Sequence, residues 1–240
     1  MLVTQDQYTL ATPFYDLWHL DGHIPEVRAL LPGMLADVEG PVLEIGAGTG
    51  LVTETIAAAT DGEVFAVEPA LGMRAILLSR LAERPDLRAR VTVLPWDVLD
   101  TDLDEPVSAV VMISVLYGLP PADRARVWPV LARQLRPGGH LIFNWRPRPV
   151  AEPGEPEPMG SYRVGRHTYE VWGQVLAATP MKTTSRLFYR IVHRGVVISE
   201  DVVDSESYRP EFAELAAELG AAGFTAREAP QGMTRWRLGT

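Results

Sequence analysis

Short apolar runs alternate with helical patterns between Pro41 and Trp145, and this alternation constrains the fold more than any other feature of the chain. The runs contain few polar residues, which is typical of parallel strands that are covered on both faces. They are Val42–Ile45, Val64–Val67, Val91–Leu94, Val107–Ile113 and Leu141–Phe143. The intervening patterns predict helices at Leu51–Ala59, Ala70–Arg84 and Ala122–Arg136, the last ending at Pro137-Gly138-Gly139. Repeated β-α-β units of this kind predict an α/β fold with a doubly wound, mostly parallel sheet.

The flanking segments follow other patterns. The first forty residues predict two helices, with Pro13 and Pro25 each near a helix start, and residues 147–160 contain five prolines, which indicates an extended connection or mobile loop. Apolar and polar residues then alternate, which predicts antiparallel strands. The alternating runs are Tyr162–Leu176 and Thr183–Tyr208, with a turn at His193-Arg194-Gly195, and a helix at Glu211–Ala222 and strands at Phe224–Glu228 and Met233–Leu238 complete the prediction.

Composition excludes several classes of protein. The net charge is −9 with a pI near 5.1, and Lys182 is the sole lysine, so a nucleic-acid substrate is not expected. The 240 residues include no cysteine, which excludes disulfides and thiolate metal sites. Met1–Thr12 lacks the pattern of a signal peptide, and no apolar stretch approaches the roughly 20 residues of a membrane span. We therefore expect a soluble, cytoplasmic protein without a membrane partner.

The most informative motif is Glu44-Ile45-Gly46-Ala47-Gly48-Thr49-Gly50, which follows a predicted strand and precedes a predicted helix. Glycines let the backbone turn tightly and approach a ligand closely. A dinucleotide site has the spacing G-x-G-x-x-G and holds a pyrophosphate, whereas here the spacing is G-x-G-x-G. The Glu44 carboxylate would repel a pyrophosphate but suits a ligand that carries an ammonium group. The alternative is an ordinary tight turn between a strand and a helix.

Two further acids follow the glycine turn in the order that an adenosyl ligand requires. Glu68 ends the next strand, 18 residues after Gly50, where a carboxylate can accept both hydroxyls of a ribose. Asp97 follows the third strand and can accept a hydrogen bond from an adenine amino group. Trp96 or Met73 would pack on the face of the ring. Taken singly, these residues would be a solvated acid and a core aromatic, and Glu68 would serve NAD equally well.

Together these residues resemble the class I S-adenosylmethionine-dependent methyltransferases from about Pro41 to Trp145. The resemblance rests on the glycine turn, Glu68, the Trp96-Asp97 pair and the Pro-Gly-Gly before the fifth strand. It implies a seven-stranded Rossmann-like sheet, with S-adenosylmethionine as cofactor and S-adenosylhomocysteine as product. The resemblance implies that the methionine end of the cofactor binds at the glycine turn, which consists of Glu44, Gly46, Ala47, Gly48 and Gly50. It also implies that the ribose binds Glu68, with Pro69 beside it. The adenine would bind Asp97, and the sulfonium would lie near Ser114.

Phe14-Tyr15-Asp16-Leu17-Trp18 and the antiparallel region look similar to the small-molecule branch of this family, which includes glycine and antibiotic-sugar N-methyltransferases. In that branch an N-terminal tyrosine often contacts the cofactor, so Tyr15 is a candidate. The alternative is that Tyr15 and Trp18 are the apolar stripe of a docking helix. The resemblance implies an N-terminal helical lid (1–40), a cofactor-binding α/β core (41–146 and 209–240) and a linker with an antiparallel substrate region (147–208).

Differences between this sequence and the motifs of two related kinds of methyltransferase exclude some of the possible reactions. Ser114-Val115-Leu116-Tyr117 follows the fourth strand, in place of the N/D-P-P-Y of enzymes that methylate amino groups of nucleic acids. A Mg²⁺-dependent catechol enzyme would need carboxylates at the ends of strands four and five. This chain has Ser114 and Asn144-Trp145-Arg146 there, so we expect no catalytic metal.

Methyl transfer from a sulfonium requires alignment of the reacting atoms, and it requires a base only when the acceptor carries a proton. His19 follows the N-terminal aromatic cluster and is the first candidate for a base, and Tyr117 is the second. His23, His140 and His193 are interpreted as surface residues, and His167 lies in the predicted roof.

The acceptor is expected to be a small molecule, plausibly a secondary metabolite or its sugar, methylated at N, O or C. Candidate substrate contacts are Trp18, Trp145, Arg146 and Trp172, each of which has a core or surface residue as its alternative. Two rival functions stay open: another reaction of S-adenosylmethionine on the same fold, such as cyclisation or decarboxylation, and a non-catalytic binding module. A monomer and a homodimer are equally compatible with the sequence.

Overall fold

The computed structural model describes residues 5–240, with side chains from Tyr8 onward, so the first residues of the predicted lid lie outside the described part. Two helices, α1 (Gln5–Asp21) and α2 (Ile24–Leu35), precede the first strand. The central region then alternates strands and helices. Its elements are β1 (Val42–Ile45), α3 (Thr53–Ala59), β2 (Val64–Val67), α4 (Leu71–Ala82), α5 (Pro85–Arg88), β3 (Val91–Leu94), β4 (Val107–Met112), α6 (Pro121–Gln134) and β5 (Leu135–Asn144).

Four long strands follow and then a closing unit. The long strands are β6 (Glu157–Val164), β7 (His167–Ala178), β8 (Lys182–His193) and β9 (Val196–Tyr208). The closing unit is α7 (Phe212–Ala221), β10 (Phe224–Arg227) and β11 (Met233–Leu238). In the part of the chain that the structure describes, no helix combines the length and apolar character needed to cross a membrane.

Seven strands form one sheet in the order β10-β11-β5-β4-β1-β2-β3. All of them run parallel except β11, which pairs antiparallel with both β5 and β10. The central strands β1 and β4 are buried along their whole length, as their uninterrupted apolar sequences require. Helices α2, α3 and α4 cover one face, and α6 and α7 cover the other. The predicted fold class is therefore confirmed.

The other strands form a separate antiparallel sheet in the order β6-β7-β8-β9, which we call the roof sheet. Its inner face packs against helix α1, where Ala11 and Phe14 contact Val171, Tyr189 and Val203. The predicted turn at His193-Arg194-Gly195 joins β8 to β9. The roof sheet thus holds α1 near the carboxyl-terminal edge of the larger sheet.

Several predicted boundaries are wrong. Pro13 lies inside α1, whereas Pro25 stands at the start of α2 as predicted. Helix α6 ends at Gln134, and Pro137-Gly138-Gly139 lies in the irregular first half of β5, because Leu135 already has an extended conformation. Strand β6 begins at Glu157, inside the predicted linker, and a turn at Gly165 divides the predicted run Tyr162–Leu176.

Candidate functional site

The glycine turn lies at the carboxyl end of β1. Gly46, Gly48 and Gly50 have φ angles of +72°, +57° and +91°, in the left-handed region that glycine adopts without penalty. A Cβ at Gly46 would lie 2.4 Å from Cγ2 of Val115, and one at Gly50 would lie 2.6 Å from Cδ1 of Leu77. Gly46 and Gly50 therefore permit close packing around the turn.

A cavity of about 490 Å³ opens beside this turn at the sheet edge where β1, β2 and β4 end. Nine of the predicted site residues line it: Tyr15, Gly46, Gly48, Glu68, Pro69, Met73, Asp97, Ser114 and Tyr117. Helix α1 adds Tyr8 and Ala11, and the roof sheet adds Leu187, Tyr189, Val203, Ser205, Glu206 and Ser207. The cavity therefore lies between the larger sheet and the roof sheet.

Glu68 joins the glycine turn to helix α4. Its Oε2 accepts a hydrogen bond from the Gly48 N–H at 2.8 Å, and its Oε1 accepts one from the Ala70 N–H at 2.7 Å. Burial raises the pKa of the Glu68 carboxyl, although these two N–H groups partly offset that effect. Each carboxylate oxygen can still accept a second hydrogen bond from the cavity side.

Glu44 is 2% exposed and lies beneath the turn, against a smaller cavity of about 20 Å³ that Tyr15 and Ser114 also line. Its Oε2 accepts a hydrogen bond from the Thr53 hydroxyl at 2.6 Å. The pKa of Glu44 is raised to about 7, mainly by burial and also by the nearby Glu68 carboxylate, while the Thr53 hydrogen bond partly offsets both effects. Two buried acids therefore lie around one turn, and both would be stabilised as carboxylates by a cationic ligand.

Asp97 lines the cavity and also caps a short 3-10 helix. Its Oδ1 accepts a hydrogen bond from the Leu99 N–H at 3.0 Å. Met73 is 1% exposed and lies on the cavity wall. Trp96 packs instead against the core on the α6 side and does not line the cavity, so of the two predicted ring contacts the structure brings Met73 to the cavity.

Helix α1 is held over the glycine turn by residues that were not predicted to belong to the site. The Asp16 carboxylate accepts a hydrogen bond from the Thr49 hydroxyl at 2.5 Å and forms an ion pair with Arg80 of α4. The neighbouring Tyr15 hydroxyl lies 3.6 Å from the position that a Cβ at Gly48 would occupy. Burial raises the pKa of Tyr15, so its hydroxyl is neutral and can donate a hydrogen bond.

Ser114 connects three segments of the chain. It has a φ angle of +62°, which is uncommon for a residue with a side chain. Its N–H donates to Oδ1 of Asn144 at 2.7 Å, and its Oγ is hydrogen-bonded to Nε2 of His23 at 2.8 Å. The interpretation of His23 as a surface residue is therefore wrong, because its ring reaches the wall of the smaller cavity.

Tyr117 lines the cavity with its ring 8% exposed. Its hydroxyl accepts a hydrogen bond from the Arg146 N–H at 3.0 Å, and the Arg148 guanidinium lies 3.5 Å from the ring centre. The hydroxyl hydrogen is still available to an acceptor group. Tyr117 is thus held rigidly at the cavity wall.

Comparison with known proteins identifies the central region. Residues 42–139 match the family model for a methyltransferase domain. Over these residues the chain is similar to methyltransferase domains. The predicted family is therefore confirmed over these residues, which include the glycine turn, Glu68, Asp97 and Ser114.

Curated proteins similar to this chain come from mycobacteria. An uncharacterized methyltransferase of Mycobacterium bovis and one of Mycobacterium tuberculosis are each 32% identical over 151 residues. The alignment covers 60% of this chain and 55% of each relative, so the chain spans about half the length of the curated relatives it matches.

Solved methyltransferases share the fold of nearly the whole chain. DesVI of Streptomyces venezuelae has a TM-score of 0.75 at 19% identity, covering 94% of this chain and 97% of that one. The sugar N-methyltransferase KedS8 from a Streptoalloteichus species has a TM-score of 0.73 at 18% identity, covering 94% and 93%. The amino pentose methyltransferase CalS10 from Micromonospora echinaspora has a TM-score of 0.70 at 19% identity, covering 92% and 91%. The methyltransferase fold therefore extends to the roof sheet.

The remaining predicted catalytic residue, His19, does not line the cavity beside the glycine turn. Its ring packs against Tyr15, Trp18 and His23, with ring centres 4.2 to 5.2 Å apart. Burial lowers the pKa of His19 to about 4, with a further lowering by His23. A histidine in this position is neutral near pH 7, and its role as a base stays a prediction.

The predicted substrate contacts also lie away from the cavity. Trp18 stacks on His19, and Arg146 forms an ion pair with Glu26. The Trp145 Nε1–H donates to the Pro210 carbonyl at 2.9 Å. Trp172 donates to Glu170 and lies on the outer face of the roof sheet, because the adjacent Val171 is fully buried against α1.

The roof residues that do line the cavity were not predicted individually. Tyr189, Ser205 and Ser207, each of which carries a hydroxyl group, line the cavity from the roof sheet. Burial raises the pKa of Tyr189 to about 12, so its hydroxyl is neutral. The alternation of residues along β8 and β9 predicts which of them share a face, but it does not say which face lines the cavity. Among the described residues, no group of three or more His, Asp or Glu side chains could hold a metal ion.

Proposed function

We propose that this methyltransferase transfers a methyl group from S-adenosylmethionine to a nitrogen atom of a small, hydroxyl-rich molecule, such as an amino sugar of a secondary metabolite. The observation that supports the cofactor best is the pair of buried acids, Glu44 and Glu68, at one glycine turn. Both carboxyls are buried, which raises their pKa, so a cationic ligand would stabilise them as carboxylates whereas an anionic pyrophosphate would disfavour their ionisation further. S-Adenosylmethionine carries an ammonium and a sulfonium group, which suit this site.

The residues around the turn fit each part of the cofactor. The ammonium group would be held near Glu44 and the Tyr15 hydroxyl, and the ribose hydroxyls would donate to Glu68. Asp97 has a second oxygen for the adenine amino group, with Met73 against the ring. CalS10 and the glycopeptide N-methyltransferase MtfA, whose solved structures contain bound S-adenosylmethionine, share this chain's fold.

The sulfonium supplies an activated methyl group, so the protein mainly has to align the acceptor and exclude water. Helix α1 covers the turn through the Asp16–Thr49 hydrogen bond. Tyr117 could orient the acceptor by donating its hydroxyl hydrogen. These contacts assign the alignment to α1 and the segment after β4.

Two observations support a nitrogen acceptor on a hydroxyl-rich molecule. The part of the cavity wall that the roof sheet forms includes Tyr189, Ser205 and Ser207, whose hydroxyl groups match those of a sugar. No histidine stands among the described residues that line the cavity, and an amine reacts through its own lone pair once it is deprotonated. The structural similarity to the sugar N-methyltransferase KedS8 and the glycopeptide N-methyltransferase MtfA supports the same substrate class.

A transfer assay with trideuteromethyl-labelled cofactor tests this function. The chain is incubated with a panel of amino sugars and with the same sugars lacking the amine. We expect one labelled methyl group on nitrogen in an amino sugar and none in its hydroxyl counterpart. Labelled O-methyl or C-methyl products, or consumption of the cofactor without transfer of its methyl group, would contradict the proposal.

A matched pair of variants then tests the acceptor site. The double change Ser205→Ala and Ser207→Ala should raise KM for the amino sugar by about tenfold, since each lost hydrogen bond costs about 0.5–1.5 kcal/mol. Cofactor affinity should stay unchanged. Ser199→Ala is the control, because Ser199 lies exposed on the same strand and away from the cavity.

A further inference from the structure

A second cleft, of about 540 Å³, lies at the opposite edge of the seven-stranded sheet. It is formed by the segment after α2, the first half of β5, and strands β10 and β11. Its ionisable side chains are Arg136, Arg227, Arg235, Arg237, His140, Asp37 and Glu228. No residue lines both this cleft, which we call the arginine cleft, and the cavity beside the glycine turn.

The strand register brings the arginines together. Arg227 of β10 stands opposite Arg235 of β11, and Arg237 stands opposite His140 of β5. Arg235 and Arg237 are two residues apart and therefore share a face of the sheet. Like charges directly opposite one another destabilise a sheet, so sheet pairing alone does not account for this arrangement.

The carboxylates of the cleft neutralise only part of this charge. Asp37 accepts a hydrogen bond from Arg235 at 2.6 Å, while Arg237 donates to the Gly138 carbonyl. Within residues 8–240, neither Arg136 nor Arg227 has a carboxylate partner within ion-pair distance. Four guanidinium groups face two carboxylates, which leaves two excess positive charges in a chain whose net charge is −9.

His140 supplies a further donor. Arg235 donates from Nε to Nδ1 of His140 at 3.3 Å, so the ring proton of the neutral histidine is on Nε2. Burial, and then Arg235, lower the pKa of His140. The cleft therefore contains guanidinium forks together with one neutral N–H donor.

We propose that the arginine cleft binds a dianionic phosphate group carried by a small molecule. Two excess charges match a dianion, and guanidinium forks bind phosphate oxygens bidentately. The cleft is many times larger than the roughly 30 Å³ that one water molecule occupies in the liquid, so it can hold the rest of an ester as well as the phosphate.

This site is separate from methyl transfer. His140 and Asn144 are four residues apart on β5, which places the two sites about 13 Å apart along the strand. Residues of the arginine cleft can therefore be changed without altering the glycine turn. The proposal does not depend on the identity of the methyl acceptor.

Calorimetric titration tests the proposal, with inorganic phosphate and glycerol 3-phosphate as probes at an ionic strength held constant with sodium chloride. We expect saturable 1:1 binding of both, tighter for the ester. The double change Arg136→Gln and Arg227→Gln should weaken binding at least tenfold. The matched control is Arg126→Gln with Arg133→Gln, two exposed arginines of α6, and it should bind as the parent chain does.

A second measurement uses the unaltered chain. The NMR titration of His140, assigned by the signal lost in His140→Gln, should move to higher pH when phosphate is bound, because a dianion stabilises the imidazolium. Overturning results are no saturable binding of either probe, binding of inorganic phosphate without the ester, equal binding by the Arg136/Arg227 variant, or a His140 titration that phosphate leaves unchanged.

Discussion

The Glu68 carboxylate accepts a hydrogen bond from the Gly48 N–H, with 2.8 Å between Oε2 and the nitrogen. The end of β2 is thereby joined to the turn after β1, and the same carboxylate accepts from Ala70 at the start of α4. One buried side chain thus sets the shape of the turn and lines the cavity. A change at Glu68 is therefore expected to affect both the turn and the cavity.

The substitution Glu68→Gln removes the negative charge of the side chain and keeps its size. A glutamine has one acceptor oxygen, and its NH₂ group would face a backbone N–H, which leaves that donor unpaired at a cost of about 1–3 kcal/mol. We expect the free energy of unfolding to fall by that amount and cofactor affinity to fall about tenfold, measured by denaturant titration and calorimetry. Glu63→Gln at the exposed start of the same region should change neither, and an unaltered affinity in Glu68→Gln would remove Glu68 from the site.

Cofactor affinity should rise with pH because of Glu44. Burial raises its pKa from 4.5 to about 7, and an ammonium ligand would favour the ionised form. Binding should therefore tighten between pH 6 and 8 and release protons, which calorimetry in buffers of different ionisation enthalpy measures. Glu44→Gln should bind more weakly and without this dependence; a flat profile in the parent chain would show that Glu44 does not pair with the ligand.

The same raised pKa predicts the opposite trend for stability without ligand. A carboxyl whose pKa is raised on folding contributes stability below its unfolded pKa and loses it as pH rises through the folded value. The Glu44 contribution should thus decline between pH 4.5 and about 7. Denaturant titrations of the parent chain and Glu44→Gln across this range should converge at the acidic end and diverge above it.

Two glycines of the turn should respond differently to alanine. In Gly48→Ala the new Cβ would lie no closer than 3.6 Å to another atom and would stand beside Tyr15. The free energy of unfolding should therefore fall only by the cost of the left-handed backbone conformation, about 1–2 kcal/mol. Gly46→Ala also brings its Cβ to 2.4 Å from Val115 and should destabilise more. Gly33→Ala, with open space around it, is the control. Equal stabilities of the Gly46 and Gly48 variants would contradict this account.

The Asp16–Thr49 hydrogen bond should couple helix α1 to cofactor binding. A double-mutant cycle with Asp16→Ala and Thr49→Val should give a coupling energy of about 1.5–3 kcal/mol, because a hydrogen bond to a charged acceptor is stronger than one between neutral groups. Both variants should increase hydrogen exchange in α1 and weaken cofactor binding. Additive effects would mean that α1 is held by its contacts with the roof sheet instead.

The core of the fold was predictable because β1 and β4 are apolar throughout, and a strand that is buried on both faces leaves an unambiguous pattern. The glycine turn and the acids Glu68 and Asp97 were predictable for a related reason, since parallel strands end at one edge and bring those residues together.

Contacts between distant segments were not predictable. His23 and Ser114 are separated by 91 positions, and no local pattern marks their hydrogen bond. Trp172 was assigned to the substrate side although its neighbour Val171 faces inward, because alternation fixes two faces without saying which one α1 covers. The arginine cleft depends on the insertion of β11 between β5 and β10, which is a property of the sheet order.

Equilibrium binding of S-adenosylmethionine tests the central claim most directly. Calorimetry on the parent chain and on Gly48→Val should show one site per chain in the parent and no measurable binding in the variant, whose far-ultraviolet circular dichroism should match that of the parent. S-Adenosylhomocysteine should compete for the same site. No binding by the parent chain, or equal binding by a folded Gly48→Val, would contradict the assignment of this cavity to the cofactor.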